Sequence, residues 1–591
     1  MVTLQRTRDE LTEGPPATTK GVAARTGGRV ADALVDLLAK SGVEVVFGLP
    51  GGAIAPLHDA LLDRPDIRVI TARHESGAMF AAAGYARATG KLAVVLVTSG
   101  PGVLNCMTGL ASAWCDGLPV LLLAGEVPRG LMGKGALQEG SAHHLNVVGM
   151  TEKIAKLALE VTDPRAAPAQ LQRAARTALS GRMGPVVLTL PVDITSAPLA
   201  PFALAGGVEV TSSLDRDTDD ACQGAARALW QARRPLIFAG SGARWGLGPM
   251  ALRRLAERLQ CPVMTTPKAK GVFPESHPLS LGVFGHGGHP SSSAYLAEGV
   301  DALLVVGSGL SDPATDGWSP LLSPKRHLIR IDVDALQIGK NCDVTCALVG
   351  EAAPLLDGLA AHLPDEIRGG RRYGVTRFSD ASVYAHGPEG RITPQRALWE
   401  LQEAMPAGAL YTCDIGEHLL FATHYLHIDD AQGFLAMTGL ASMGTSVGGA
   451  LGVKLARPRR PVVAVCGDGA FAMCLGDVAT AAQERVPLVI AVLNDERYGM
   501  VEIGHRAVYG REVSYSMAPM DVARTAESLG AVSLTVERAD VIRRLDVASL
   551  LEGGRPLVLD IRIDRQVTMP KNKRNEALSS VRGGFGARPT S

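Results

Sequence analysis

The sequence predicts an α/β protein of three doubly wound parallel-sheet domains, each a sheet covered by helices on both faces. Three observations lead there. The chain has 591 residues, far beyond the roughly 100 to 200 typical of one domain. Short apolar runs of buried-strand type alternate with stretches of helical periodicity along most of its length. Two stretches rich in Pro, Gly or polar residues, at 197–207 and 368–391, interrupt that alternation.

In the first block Val30, Leu34, Leu37 and Leu38 recur at helical spacing, Gly42 stops the helix, and 43–47 reads as a strand. Further strands are expected at 93–98, 119–124 and 185–190, which sets the domain at 28–195. After the first interruption, apolar runs at 236–239, 263–265, 302–306 and 327–331 define a central domain, 215–362. The third domain, 393–565, begins where Thr393 supplies an N-cap and Pro394 a first-turn proline for a helix through Leu401. Strands at 462–465 and 488–493 follow. Residues 1–27 are polar, lack the apolar centre of a signal peptide and read as a disordered tail, with a second tail at 566–591.

Composition narrows the function. Apolar residues make up 46% and charged residues 20%, as in a soluble α/β enzyme. Lys+Arg and Asp+Glu number 59 each, so charge points to neither nucleic acid nor a membrane surface. No apolar run is long enough to span a bilayer. The nine cysteines are scattered without zinc spacing, and reduced thiols in the cytoplasm are the expectation. A small-molecule substrate is the default.

The strongest chemical signal is GDG at 467–469, directly after the strand at 462–465. Glycines flanking an aspartate at a strand end let a backbone approach a diphosphate while the carboxylate grips a hard cation. Alone, such a tripeptide is usually a surface turn. Here LNDERYGM at 493–500 follows the next strand and returns a second oxygen ligand, Asp495. The first domain adds FGLPGGAIAPLHDAL from Phe47, RHESGAMFAAAGYARATGK from Arg73, TSGPGVLNCMTGLASAW from Thr98 and EVPRGLMGKGALQE from Glu126. By itself Glu75 would read as an ordinary helix-start carboxylate, and a lone Met443 as core filler.

Taken together, over about residues 28–564, these segments resemble the thiamine-diphosphate-dependent enzymes, and among them the acetolactate synthase (acetohydroxyacid synthase) large subunit. The resemblance implies three domains that bind the pyrimidine, form the centre and bind the diphosphate. It implies Mg²⁺ held by the side chains of Asp468 and Asp495 and the backbone carbonyl of Arg497. Around the diphosphate it places Gly467, Gly469, Ala470, Tyr498, Gly499 and Met500, with Gly416, Glu417 and His418 from a second turn. Ala441, Ser442 and Met443 lie in GLASMG, the family's GLGTMG, whose methionine bends the cofactor so that its amino nitrogen meets the reacting carbon. Pro50, Gly51 and Glu75 would face the pyrimidine. Glu75 would bond the ring nitrogen and favour the imino form that removes the thiazolium proton. Gly52 would offer a backbone N–H to an oxyanion, and Gln138 would lie near the reacting centre.

The implied reaction is decarboxylation of a 2-oxo acid such as pyruvate and transfer of the acyl unit to a carbonyl acceptor. A related decarboxylase or acyl transferase with a non-standard acceptor is the alternative, and a catalytically silent relative that kept the fold is a third reading. The resemblance further implies a homodimer or homotetramer, with the cofactor between the Glu75 domain of one chain and the Asp468 domain of the other. It leaves a regulatory subunit open. It also leaves FAD open: GSG at 240–242, Arg330 to Asp334 and IGKN at 338–341 fit a central domain that binds FAD in some relatives and nothing in others.

Departures from the family pattern fall mainly on the substrate side. Asp495 stands for an asparagine, Glu417 for a glutamine and Leu137 for a phenylalanine. Gly309 replaces the arginine that would anchor an acceptor carboxylate, and Gly504 the tryptophan that favours 2-oxobutyrate. His505, Arg506 and Lys156 are candidate stand-ins, although each reads equally as a surface charge. His143 and His144 sit near Gln138, where solvated loop histidines are the commoner case.

Overall fold

The computed structural model describes residues 28–199, 216–366, 369–370, 372–378, 383 and 390–569. The expected tail at 1–27, residues 570–591 of the expected tail 566–591, and parts of both interruptions lie outside the described residues, whereas Val567 and Met569 pack on the core of the third domain. Among the described residues, eighteen strands form three six-stranded sheets in which every pair is parallel.

The first sheet contains β1 (Val45–Gly48), β2 (Arg68–Thr71), β3 (Ala93–Val97), β4 (Val120–Glu126), β5 (Leu157–Glu160) and β6 (Val186–Pro191), in the order β2-β1-β3-β4-β6-β5. The central sheet contains β7 (Pro235–Ala239), β8 (Val263–Thr265), β9 (Ser280–Val283), β10 (Ala302–Val306), β11 (His327–Asp332) and β12 (Cys346–Val349), ordered β12-β11-β10-β7-β8-β9. The third contains β13 (Leu410–Cys413), β14 (Phe434–Ala436), β15 (Val462–Gly467), β16 (Val489–Asn494), β17 (Val532–Val536) and β18 (Leu557–Arg562), ordered β14-β13-β15-β16-β18-β17. The first and third sheets thus share one topology. The central one is the doubly wound order that reverses between β7 and β10.

The interior strands β3, β4, β7 and β10 are buried along their whole length, which is why they read as unbroken apolar runs. Edge strands β2, β5 and β17 are only partly buried and carry no such run, and β12, also partly buried, has only the short run Cys346–Val349. Thr393 caps the helix Pro394–Ala404 as expected, its Oγ1 accepting from Arg396 N at 3.3 Å.

The outer domains meet through equivalent helices. Glu75–Thr89 crosses from β2 to β3, and Ser446–Ala456 crosses from β14 to β15. They pack backbone on backbone: a Cβ at Gly84 would fall on the Gly449 carbonyl, and one at Gly452 on the Ala81 carbonyl. A single apolar core runs through both domains across this contact. The packing fixes Glu75, at the start of one helix, relative to the strand ends that carry the GDG turn.

Candidate functional site

The carboxyl ends of β13, β15 and β16 open onto a cavity of about 280 Å³. Gly416, Glu417, His418, Ala441, Met443, Gly467, Asp468, Gly469, Ala470, Asp495, Arg497, Tyr498, Gly499 and Met500 all line it. Ligands of open α/β sheets bind at such strand ends. Ser442 lies between two lining residues, and its Oγ is buried without a partner.

Asp468 starts the short helix Asp468–Met473 and is 3% exposed, with Oδ2 buried and unpartnered. Burial, with the Asp495 charge adding to it, pushes its carboxyl up to about 7. Asp495 is raised by burial, against which the Arg497 hydrogen bond works in the opposite direction. Glu417 is pushed up to about 7 by burial, and its Oε1 accepts from Met569 N at 3.1 Å. Burial lowers His418 to about 4, and its Nε2 has no partner. Two neighbouring carboxylates that are costly to ionise unaided suit a bound dication, which would stabilise their charged forms. Among the described residues no three His, Cys, Asp or Glu side chains converge into a self-contained metal centre. Two protein carboxylates completed by diphosphate oxygens are instead the usual arrangement for Mg²⁺. Glycine keeps the cradle clear: a Cβ at Gly469 would come within 2.8 Å of the Tyr498 ring, and one at Gly416 would meet the His418 imidazole.

A knot beneath the cavity ties two of its loops together. Asp414, at the end of β13, is fully buried and accepts from the backbone N–H of Ile415 (2.8 Å), Gly444 (3.0 Å), Thr445 (2.8 Å) and Ser446 (2.9 Å). It therefore ties the turn that carries Glu417 and His418 to the loop that carries Met443, and holds the start of the helix Ser446–Ala456.

Glu75 opens the helix Glu75–Thr89 behind His74, whose Nδ1 accepts from Ser76 N at 3.2 Å. It is 8% exposed, and Asn105 Nδ2 donates to its Oε2 at 3.0 Å. Asn105 sits inside TSGPGVLN, so position within a recognised segment was the only available signal for it. Gly51 packs on Thr98, and the space beyond a Cβ at Gly52 is open. Gln138 adopts φ +63°, and a Cβ at Gly100 would lie 2.7 Å from its carbonyl oxygen. Pro50 to Gly52, Thr98 to Gly100, Gln138 and the Glu75–Asn105 pair thus belong to one neighbourhood. Two buried acids shape the loop: Glu126 Oε1 accepts from Val127 N and Gly140 N, and Glu139 Oε1 accepts from Gly133 N and Ser141 Oγ. Leu137 is 89% exposed beside Gln138. His143 and His144 are exposed, and the latter pairs through Nδ1 with the Glu139 carbonyl.

None of Pro50, Gly51, Gly52, Glu75 or Gln138 lines the diphosphate-side cavity. The candidate acceptor-binding charges are also committed elsewhere: Lys156 donates to the Ser180 carbonyl, Arg506 pairs with Glu512 at 3.2 Å, and His505 Nδ1 faces the Arg511 carbonyl at 3.3 Å. A Cβ at Gly309 would approach only Gln337 Oε1. In the central crevice, Gly240 N and Gly242 N bond the carbonyls of Val306 and Gly307, and the buried Arg330 bonds those of Ser308 and Gln337. These turns close on each other and do not direct those amides at a ligand.

Comparison with known proteins assigns these halves to one family. Residues 28–145 match the thiamine pyrophosphate enzyme N-terminal TPP-binding domain, 222–359 its central domain and 414–561 its C-terminal TPP-binding domain. The chain is 33% identical over 559 residues to a probable acetolactate synthase large subunit of Methanocaldococcus jannaschii, covering 91% of this chain and 93% of that one. It is 32% identical over 578 residues to an acetolactate synthase of Mycobacterium bovis, covering 94% and 91%. To the acetolactate synthase large subunit of Corynebacterium glutamicum it is 31% identical over 583 residues, covering 95% and 91%. With all three domains matched in order and such relatives aligned almost end to end, the chain belongs to the thiamine pyrophosphate enzyme family, among its acetolactate-synthase-like members.

Proposed function

We propose that this protein is a carboligase of the acetolactate synthase kind, which releases carbon dioxide from a 2-oxo acid such as pyruvate and joins the remaining unit to a carbonyl acceptor. The observation that carries the reading is the glycine-lined cavity where Asp468 Oδ2 and His418 Nε2 are buried without partners. Asp468, Asp495 and the Arg497 carbonyl would hold Mg²⁺, and Gly467 to Ala470, Gly416 to His418 and Tyr498 to Met500 the diphosphate. Thiamine diphosphate supplies, when bound, the acidic thiazolium carbon and the electron sink that decarboxylation requires.

The residues divide the remaining work. Glu75 holds a proton at the pyrimidine side, and Asn105 fixes the orientation of its carboxylate. Met443, carried on the loop tied by Asp414, lines the cavity and would support the cofactor there. Gly52, with open space before it, offers a backbone N–H to developing negative charge, and Gln138 approaches from the facing loop. The names of the relatives favour ligation over the simple decarboxylase or acyl-transferase alternative. FAD stays outside the proposal; the Gly240 and Gly242 amides of the central crevice bond the Val306 and Gly307 carbonyls.

Glu75 does not line the cavity that Asp468 lines on the same chain, which supports a homodimer, or a tetramer of two such pairs, in which each chain completes the site of the other. Two of the relatives are named large subunits, which supports reading this chain too as the larger member of an assembly. No helix among the described residues is long and apolar enough to cross a membrane, and no disulfide joins any of the nine cysteines. Both fit a cytoplasmic placement. Incubation of labelled pyruvate with enzyme, Mg²⁺ and thiamine diphosphate should yield labelled carbon dioxide and acetolactate. Absence of both products across a panel of 2-oxo acids and acceptors would overturn the proposal.

A further inference from the structure

Where the family pattern has an asparagine, Asp495 brings an additional negative charge beside the diphosphate site. The same loop answers it. Arg497 Nε donates to Asp495 Oδ2 at 2.8 Å, and Arg497 NH1 pairs with Glu502 Oε2 at 3.0 Å. All three side chains are largely buried, at 15%, 9% and 8% exposure. Glu502 Oε1 accepts from Tyr515 N at 2.6 Å, and the remaining Arg497 nitrogen donates to the Arg565 carbonyl. Glycine at 499 leaves room for this pair, since a Cβ there would lie 3.1 Å from Asp495 Oδ2 and 3.4 Å from Arg497 Nε and would press the pair aside by a few tenths of an ångström. The guanidinium therefore holds Oδ2 of Asp495, a residue that itself lines the cavity.

We infer that the Arg497 side chain, steadied by Glu502, is a positioning residue that offsets the charge of Asp495 and makes an aspartate serviceable at this cofactor-binding position. The inference rests on the thiamine diphosphate reading above. Without the guanidinium, Asp495 and Glu502 lose their shared cation, the anionic diphosphate meets an unscreened carboxylate, and the orienting bond disappears. Losing one member of a buried charge pair is a large effect, and an amide at 495 would remove the need for it.

The test measures binding of thiamine diphosphate at saturating Mg²⁺ to the full-length apo-protein, with thermal unfolding of the apo-protein alongside. Arg497→Met should weaken binding by at least about 30-fold, the equivalent of about 2 kcal/mol. Asp495→Asn in that background should restore most of it beyond any change in apo-protein stability, whereas a merely structural role for Arg497 would move binding only in step with that stability. If Arg497→Met does not fold, the double variant should both fold and bind. Undiminished binding in the single variant, or a double variant no better than the single one, overturns the inference. Failure of the wild-type protein to bind thiamine diphosphate with Mg²⁺ would instead overturn the functional reading beneath it.

Discussion

Asp414→Asn tests whether the knot under the cavity holds the cofactor site together. Its carboxylate accepts four backbone N–H groups in a fully buried position. The asparagine carbonyl has two lone pairs, and its amide nitrogen would point N–H toward N–H. At least two donors are then left without partners, each costing about 1–3 kcal/mol when buried. With partial relaxation, the loss at this point should be about 2–4 kcal/mol. The damage is local, because three of the four amides belong to Gly444, Thr445 and Ser446. Hydrogen exchange of a peptide covering them should therefore accelerate about 30-fold or more, given that about 1.4 kcal/mol is tenfold. Thiamine diphosphate affinity should fall in parallel, since the turn of Glu417 and His418 and the loop of Met443 are no longer tied. Exchange within threefold of wild type, with unchanged cofactor affinity, would show that the four bonds are incidental.

Three further outcomes follow from the same geometry. Glu75→Gln should leave the cofactor bound while slowing exchange of its thiazolium proton by roughly 10²–10⁴; unchanged exchange would remove Glu75 from the proton path. Asp477, packed against Gly77, is raised to about 7 by burial and by Asp414, from an ordinary value of 3.8. Between those values the folded state keeps a proton that the unfolded state has lost, so stability should fall as pH rises through that window and level off on either side. Asp477→Asn should gain on wild type between pH 5 and pH 7.5, as read by denaturant midpoints, and a constant gap would refute this. With Gly309 and Gly504 in place of a guanidinium and an indole, product ratios from pyruvate and 2-oxobutyrate in competition should show no strong preference for 2-oxobutyrate as acceptor. A many-fold preference would mean that other residues rebuild that selectivity.

How much was legible in the sequence depended on burial. Strands β3, β4, β7, β10, β15 and β16 are buried on both faces and announce themselves as apolar runs. Strands β2, β5, β12 and β17 alternate or fade because one side meets other elements or solvent. The packing of the outer domains was less legible still. Gly84, Gly449 and Gly452 are scattered glycines in the sequence, and their purpose appears only when two helices far apart in the chain bring their backbones together.

The cofactor side follows the same logic at the scale of single charges. GDG and RHE were legible because their chemistry is local to a strand end or a helix start. Asn105 and the reach of Asp414 to Gly444, Thr445 and Ser446 were not, because those partners lie 30 or more residues away along the chain. Asp495 and Glu417, the two acids that replace family amides, show where the boundary lies. Asp495 is answered by Arg497, two residues away, so the compensation is written within one loop. Glu417 is met by the backbone N–H of Met569, 152 residues away, a partner with no side-chain signature of its own. An acid in place of an amide gives up two N–H donors and adds a charge, so its surroundings must supply donors. Where the supplier is a side chain in the same loop, inspection of the sequence can find it. Where it is a backbone amide from a distant segment, the tertiary structure is the first place it can be seen.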